Sequence, residues 1–300
     1  MVTIPKGASL NEIADSLAEK DVILSRVLFI AACGLSGKGS RLQNGVYRFP
    51  HSISLVNVIG ILAEGSHQIA VWITVNEGST IRTIASILHA KVGIDSIHTV
   101  QLAVDRAFLQ KLGIHAHSLE GYLFPDTYFV RLDDPGERIL SRMVHRFRSI
   151  LTPADSARAR EMKYSLYQIL TMASIVEGET RRPEERARVA GVYYNRLRLG
   201  MLLQADPTIQ YIIPDGPRRL LYRDLRIESP YNTYRHKGFP PGPVNNPGRA
   251  AIDAALYPEK HGFLYFVANG TGGHVFSTTA REHARAVAAY RAYLRSKQDS

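Results

Sequence analysis

The strongest constraint on the fold is a pattern that recurs within the first hundred residues. Each copy has a turn with Gly or Pro, then a hydroxyl residue, then apolar residues three or four positions apart. The first two copies span 4–17 and 75–88, where Ser9 matches Thr80, and a third spans 50–64. A hydroxyl side chain before such spacing is typical of a helix N-cap. The pattern therefore predicts three short helices, each with one apolar face.

Runs with strand composition separate the copies. They span 44–49 and 68–75 and are rich in Val, Ile and aromatic residues. Short helices on a small sheet follow from this alternation. The pattern resembles LysM modules, small βααβ units that bind polymers containing N-acetylglucosamine. A packing unit of the same architecture without a ligand is the alternative reading of residues 1–100.

The remaining two hundred residues mix helices with loops rich in Gly, Pro and Asn. A hairpin that turns at Asn269 and Gly270 is predicted, and Thr279 with Glu282 forms a capping box for a last helix. Residues 118–128 are interpreted as a structured loop. The predicted fold class is α+β: a small LysM-like part over 1–100 and a mixed α+β catalytic domain over 101–300. Three further helices are predicted in the second part, over about 134–150, 165–178 and 183–200.

Glu177 is the most informative residue of the helix predicted over 165–178. At about 100° per residue it continues the apolar stripe, whereas Glu179 points roughly the opposite way. Loss of hydration raises the pKa of such a carboxyl, as a general acid near neutral pH requires. The alternative is a partly buried Glu paired with a nearby arginine, and spacing leaves both open. The candidate partners are Arg181, Arg182, Arg186 and Arg188.

A long loop over 229–248 is stiffened by many Pro and Gly residues. Its Tyr and Asn side chains suit sugar recognition, since aromatic faces fit pyranose rings and amides bind hydroxyl and acetamido groups. A structural Pro-rich lid is the alternative. His274, after two glycines, is interpreted as a surface histidine or a substrate contact.

The composition limits the classes of molecule that this chain is expected to bind. The chain has 37 Lys and Arg against 27 Asp and Glu, a net charge of +10, which suits nucleic acid, an anionic membrane or an acidic polymer. The arginines are scattered over amphipathic segments rather than interleaved with aromatic residues, so nucleic acid is disfavoured. The single Cys33 excludes an internal disulfide, and no zinc motif, metal or cofactor site is predicted. No apolar run is long enough to span a membrane, and no signal peptide is predicted.

Five ordered motifs carry a resemblance to a known family, the endolytic murein transglycosylase (YceG-like) family of bacteria. They span 119–128, 173–180, 194–208, 229–234 and 272–276. The resemblance implies an enzyme of the bacterial inner membrane that faces the periplasm or cell wall. It further implies that the enzyme cuts nascent peptidoglycan strands beside the synthases. Family members usually have a membrane anchor, which is absent from this sequence.

The resemblance also implies a mechanism with Glu177 as acid and then base. Glu177 would protonate the oxygen between MurNAc and GlcNAc and then accept the proton of the C6 hydroxyl, leaving a 1,6-anhydro-MurNAc end. Glu120 is a candidate second acid, which would favour hydrolysis. A binding module without catalysis, and a lyase using Lys163 and pyridoxal phosphate, are the other classes considered. The predicted substrate-binding residues are Glu120, Asp126, Gln204, Asp206, Tyr231, Asn232, Tyr234 and His274.

Overall fold

The computed structural model describes residues 1–214 and 216–298. The chain divides into two compact units, and each is assembled from segments on both sides of the boundary predicted near residue 100. The first unit comprises Met1–Thr74, Ser86–Ser96 and Thr127–Ile139. The second comprises Val75–Ala85, Ile97–Asp126 and Leu140–Ser300.

Strands and helices are interspersed up to residue 131, and most of the described elements beyond it are helices. To that point they are β1 (Val2–Ile4), α1 (Leu10–Ala18), α2 (Arg26–Ser36), β2 (Gly45–Tyr47), α3 (Leu55–Glu64), β3 (Ala70–Thr74), α4 (Ile81–Val92), α5 (Ser96–Val104), α6 (Arg106–Lys111) and β4 (Thr127–Arg131). Beyond it they are α7 (Gly136–Ile150), α8 (Pro153–Glu161), α9 (Leu166–Glu179), α10 (Pro183–Arg198), α11 (Asp206–Ile212), α12 (Arg249–Leu256), β5 (Tyr265–Ala268), β6 (His274–Ser277) and α13 (Ala280–Gln298).

Hydroxyl caps begin the three helices that the repeat predicts, which confirms their start points. Ser9 caps α1 in a capping box with Glu12. Ser54 caps α3, and the Thr80 hydroxyl accepts the Thr83 N–H in the first turn of α4. Each cap satisfies an N–H group that has no partner within the helix.

Three two-stranded antiparallel sheets pair β1 with β2, β3 with β4, and β5 with β6. The start of β4 lies within the segment interpreted from sequence as a loop. Its partner β3 is far away in the chain, and Trp72 lies opposite Phe129. With about half of the residues helical and a tenth in strands, the α+β fold class is confirmed.

Helix α9 lies at the centre of the second unit. Its eight residues 169–176 are all buried, and the helix contacts α8, α10, α11 and α12. The observed helix ends one residue beyond the predicted range. The predicted hairpin and the Thr279–Glu282 capping box are confirmed.

The Pro- and Gly-rich segment 242–248 is buried against α9 rather than held open to solvent. The Val244 N–H donates to the Ser174 hydroxyl at 3.0 Å, and the Asn245 amide donates to the Ser174 carbonyl at 2.8 Å. This part of the loop is a structural support for α9. Within residues 1–214 and 216–298, no helix is long and apolar enough to cross a membrane.

Candidate functional site

Two carboxyl groups near the end of α9 lie in different surroundings. Glu177 contacts Arg186 and the backbone of Gly248, whereas Glu179 contacts Tyr193. The two residues are separated by one position, so about 200° of helix rotation divides them. The sequence-based expectation that they point in opposite directions agrees with these contacts.

Glu177 belongs to a buried ion-pair cluster. Its side chain is 6% exposed, and its Oε1 accepts a hydrogen bond from Arg186 Nη2 at 2.7 Å. Its Oε2 accepts the Gly248 N–H at 3.0 Å, and a carboxylate oxygen of Glu77 lies 3.5 Å from the same Arg186 nitrogen. Burial raises the pKa of Glu177, while the Gly248 N–H and the Arg186 charge oppose that rise. Glu177 therefore has an arginine partner, which was one of the two alternatives that the helical spacing allowed.

Glu179 lines a polar cleft of about 310 Å³. Its Oε1 accepts a hydrogen bond from the Tyr193 hydroxyl at 2.5 Å. Burial raises the pKa of Glu179 to about 8, with the Tyr193 hydrogen bond opposing and the Asp206 charge adding to the rise. The carboxyl therefore holds its proton at neutral pH. The cleft is lined by Glu179, Tyr193, Arg196, Gln204, Asp206, Tyr234, Phe266 and His283.

Asp206 supplies a second carboxyl group to the same cleft from the first residue of α11. Its Oδ1 accepts a hydrogen bond from the Tyr234 hydroxyl. Burial raises the pKa of Tyr234, and the hydrogen bond to Asp206 adds to the rise. The hydroxyl thus remains a donor that orients Asp206 at neutral pH.

The loop that carries Gln204 is held by a buried cation. Arg196 donates to the carbonyls of Leu203 and Leu264, at 2.5 and 2.7 Å. Gln204 has φ of 52°, a left-handed conformation that a residue with a side chain seldom adopts. Its N–H donates to the Thr233 carbonyl at 3.0 Å, while its side chain is exposed. Backbone strain of this kind is common where a side chain must be aimed at a ligand.

Glu120, the candidate second acid, is buried away from these cleft residues. Its Oε1 accepts hydrogen bonds from the Ile81 N–H at 3.1 Å and from the Asn246 amide at 2.9 Å. Burial raises the pKa of Glu120 to about 8. The contact at the first residue of α4 gives Glu120 a helix-capping role. Asp126 pairs instead with Arg146 at 2.6 Å.

Asn232 is fully buried and organises its own loop. Its amide donates to the carbonyls of Leu225 and Ile227 at 3.0 and 2.7 Å, and its side-chain oxygen accepts the Tyr234 N–H. Tyr231 packs against Tyr211, with ring centroids 5.0 Å apart.

His274 forms a partly buried pair with Glu185, Nδ1 to Oε2 at 2.6 Å. Of the nine predicted site residues, the structure brings only Gln204, Asp206 and Tyr234 together in the cleft of Glu179. The remaining six make the contacts described above, and their assignment to the site stays a prediction.

Sequence reasoning missed most of the cleft. The helical spacing predicts that Glu179 points away from the apolar stripe. Only a carboxyl on that stripe was expected to have a raised pKa, so Glu179 was not a candidate acid. Tyr193 and Arg196 share one face of α10, and the sequence does not distinguish a packing role from a positioning role for them. Phe266 and His283 come from β5 and α13, and no local pattern in the sequence connects them to Glu179.

The cleft suits proton transfer to a neutral substrate. It combines a protonated carboxyl, a second carboxyl and tyrosine hydroxyls. Burial lowers the pKa of His283, and the nearby Arg196 charge lowers it further. Within the described part of the chain, no group of three or more His, Cys, Asp or Glu side chains is arranged to hold a metal ion.

Comparison with known proteins gives four informative matches. The sequence profile of the YceG-like family matches residues 2–289. The "Endolytic murein transglycosylase" of Bacillus subtilis (strain 168) is 35% identical over 304 residues, which cover 96% of this chain and 84% of that protein. The protein of the same name from Streptococcus pneumoniae serotype 2 is 30% identical over 318 residues, which cover 96% of this chain and 57% of that protein. A 2.6 Å crystal structure of a yceG-like protein from Listeria monocytogenes matches with a TM-score of 0.67 and 31% identity, covering 95% of this chain and 97% of the other.

Proposed function

Because this chain belongs to the YceG-like family, as its motifs predicted, we propose that it is an endolytic transglycosylase of peptidoglycan. The observation that carries the proposal is the Glu179 carboxyl, whose pKa of about 8 keeps it protonated in an open polar cleft. A glycosidic oxygen is a weak leaving group until it is protonated, so a neutral carboxyl in a cleft is the required donor.

Glu179 performs both proton transfers in this proposal. It first protonates the oxygen between MurNAc and GlcNAc as the bond to C1 of MurNAc breaks. The resulting carboxylate then accepts the proton of the MurNAc C6 hydroxyl, whose oxygen forms a bond to C1. The product is a 1,6-anhydro-MurNAc end, and Glu179 recovers its proton.

Asp206, Tyr234 and Gln204 orient the sugar and stabilise the transition state. Positive charge develops at C1 and the ring oxygen, and the carboxylate of Asp206 in the same cleft stabilises it. The Tyr234 hydroxyl fixes the orientation of that carboxylate. The exposed Gln204 amide is suited to sugar hydroxyl and acetamido groups.

Glu177, the acid predicted from the sequence, is the competing assignment. Its Oε1 is held by Arg186 and its Oε2 by the Gly248 N–H, so both oxygens already accept hydrogen bonds. A carboxylate paired in this way holds α9 and the 242–248 loop together and is poorly placed to donate a proton. The proposal therefore places the proton donor at Glu179 and gives Glu177 a structural role.

Hydrolysis is the second candidate activity. Two carboxyl groups in one cleft, Glu179 and Asp206, are what a hydrolase needs, with one as acid and the other as base or nucleophile. In that case Asp206 would activate water and the product would carry a reducing end.

One experiment tests these assignments together. Wild type, Glu179→Gln and Glu177→Gln are incubated with uncross-linked glycan strands, and the fragments are identified by mass spectrometry. Anhydro-ended fragments from wild type and Glu177→Gln, with none from Glu179→Gln, are the expected result. Reducing ends would establish hydrolysis instead. Loss of cleavage only in Glu177→Gln would return the acid to Glu177, and no cleavage by folded wild type would favour a binding module.

The proposal extends to location and partners. We propose that the enzyme works at the bacterial inner membrane, facing the periplasm or cell wall, beside peptidoglycan synthases. The family resemblance supports this location, and the net charge of +10 suits acidic stem peptides and anionic lipid. Cell fractionation and cross-linking to the synthases test it, and recovery of the full-length protein only in the cytosol would refute it.

A further inference from the structure

Helix α2 of the first unit has an apolar face that points to solvent. Leu24, just before the helix, is fully exposed, and Val27, Leu28 and Leu35 are 75%, 63% and 92% exposed. The opposite side of the helix carries the buried residues Phe29 and Cys33. The helix is therefore apolar on both sides, and only one of them is covered within the first unit.

The exposed residues form one continuous stripe. At about 100° per residue, Val27, Leu28, Ala31 and Leu35 fall within an arc of about 100°. All four are exposed, and Leu24 precedes them. Scattered surface leucines need no explanation, but an apolar stripe along one helix marks an interaction surface. We call Leu24, Val27, Leu28, Ala31 and Leu35 the α2 stripe.

Two cations follow the end of α2 nearest Leu35. Residues 22–63 contain no Asp or Glu, whereas they contain Arg26, Lys38, Arg41 and Arg48. Gly37 ends α2 and Lys38 follows it, and the turn Gly39–Arg41 packs against the helix beside Cys33. Arg26 pairs with Asp15, so Lys38 and Arg41 supply the positive charge at this end.

We propose that the α2 stripe docks on an anionic lipid bilayer. Apolar side chains on one face and cations beside them are the composition of helices that lie in the membrane interface. Each Lys or Arg near such a surface is attracted by its negative potential. The inference is independent of the proposed function, because it uses no residue of the Glu179 cleft.

A second copy of the chain is a poorer occupant for this face. A stable protein interface needs about 800 Å² from each partner, contributed by roughly 20–30 residues. The five residues of the α2 stripe, four of them on a helix of three turns, fall far short of that number. A bilayer needs no complementary partner surface, since the leucine side chains enter the interface individually. Like-charged Lys38 and Arg41 clusters would also repel each other if two copies met end to end.

Vesicle sedimentation with the full chain tests the proposal. Wild type is mixed with vesicles of phosphatidylcholine alone and with vesicles that also contain phosphatidylglycerol. Binding is expected to the anionic vesicles and to weaken as salt rises. Leu28→Glu/Leu35→Glu should lower the partition coefficient about tenfold or more, because two apolar side chains no longer enter the interface. Lys38→Ser/Arg41→Ser should lower it for anionic vesicles only.

Leu199→Glu/Leu221→Glu is the matched control, because it changes two exposed leucines of the second unit. It should bind like wild type, and circular dichroism should show that all variants remain folded. Absence of wild-type binding would overturn the proposal, as would equal losses in the control pair or no effect of removing the cations. A concentration-dependent dimer that Leu28→Glu/Leu35→Glu abolishes, without vesicle binding, would also overturn it and assign the face to a second copy.

Discussion

The end of α9 has two sides with different surroundings, one that faces Arg186 and one that faces the cleft. On one side, Glu177 is enclosed by a cation and a backbone N–H. On the other, Glu179 accepts a hydrogen bond from the Tyr193 hydroxyl and faces an open cleft that also holds Asp206 and Arg196. Burial raises the pKa of both groups, and that of Glu179 reaches about 8 although the Arg196 charge lowers it.

The difference teaches that burial alone does not identify a proton donor. A carboxyl on an apolar stripe loses hydration wherever the helix packs, so burial is compatible with an ion pair and with an acid. The partners decide between these outcomes. An Arg186 contact favours the charged form and a structural role, whereas neutral hydroxyl donors leave a protonated carboxyl in place.

The largest expected effect is the loss of activity in Glu179→Gln. A positioned general acid contributes roughly 10²–10⁴-fold to rate, so kcat/KM should fall by that factor. Glu177→Gln should retain activity within about tenfold of wild type, since it removes no group from the cleft. Release of fragments from labelled glycan strands measures both. A larger loss in Glu177→Gln than in Glu179→Gln, with both proteins folded, would reverse the comparison.

Arg186→Met should give the largest loss of stability. It leaves Glu177 buried without its cation, and such broken pairs cost about 3–5 kcal/mol in unfolding free energy. The double variant Arg186→Met/Glu177→Gln should recover part of the loss, because no uncompensated charge remains buried. Urea denaturation monitored by circular dichroism measures the difference. Equal stability of wild type and Arg186→Met would show that the pair is not structural.

The pH dependence of stability should separate the two carboxyls. The folded pKa of Glu179, about 8, lies above its ordinary value of 4.5, so the folded state binds more protons between these values. Unfolding free energy therefore falls as pH rises from about 5 to 8. Glu179→Gln removes this loss. Between pH 5 and pH 8, its unfolding free energy should therefore rise relative to that of wild type by on the order of 2–4 kcal/mol.

Glu177→Gln is the matched control for that measurement. It removes the charge that holds Arg186 and should be less stable than wild type at neutral pH, by about 1–3 kcal/mol. Denaturation curves at several pH values give both differences. The same pH slope in wild type and Glu179→Gln would contradict the raised pKa of Glu179.

The smallest expected effect is a shift in the pH profile of Tyr193→Phe. Activity requires the protonated form of Glu179, so kcat/KM should fall as pH rises through about 8. The Tyr193 hydroxyl donates to Glu179 and lowers its pKa. Its removal should move the alkaline limb upward by about one pH unit. An unchanged limb, with activity present, would show that another group sets it.

Much of the fold could be predicted from local sequence. Ser9, Ser54 and Thr80 cap the helices that the repeat predicted, because a cap needs only the chain within one turn. The rotation between Glu177 and Glu179 followed from helical geometry for the same reason. In the site, Gln204, Asp206 and Tyr234, which the sequence predicts to bind substrate, line one cleft, and their substrate-binding role stays a prediction.

Only the tertiary structure decided which carboxyl faces that cleft. Arg186 reaches Glu177 from the next helix, and the Gly248 N–H reaches it from a loop about seventy residues later. The β3–β4 pairing and the buried Asn232 likewise depend on partners that no local pattern specifies. Sequence alone determined where helices begin and which way their side chains point. The pKa of a carboxyl is set by the groups around it, and long-range packing brings those groups together.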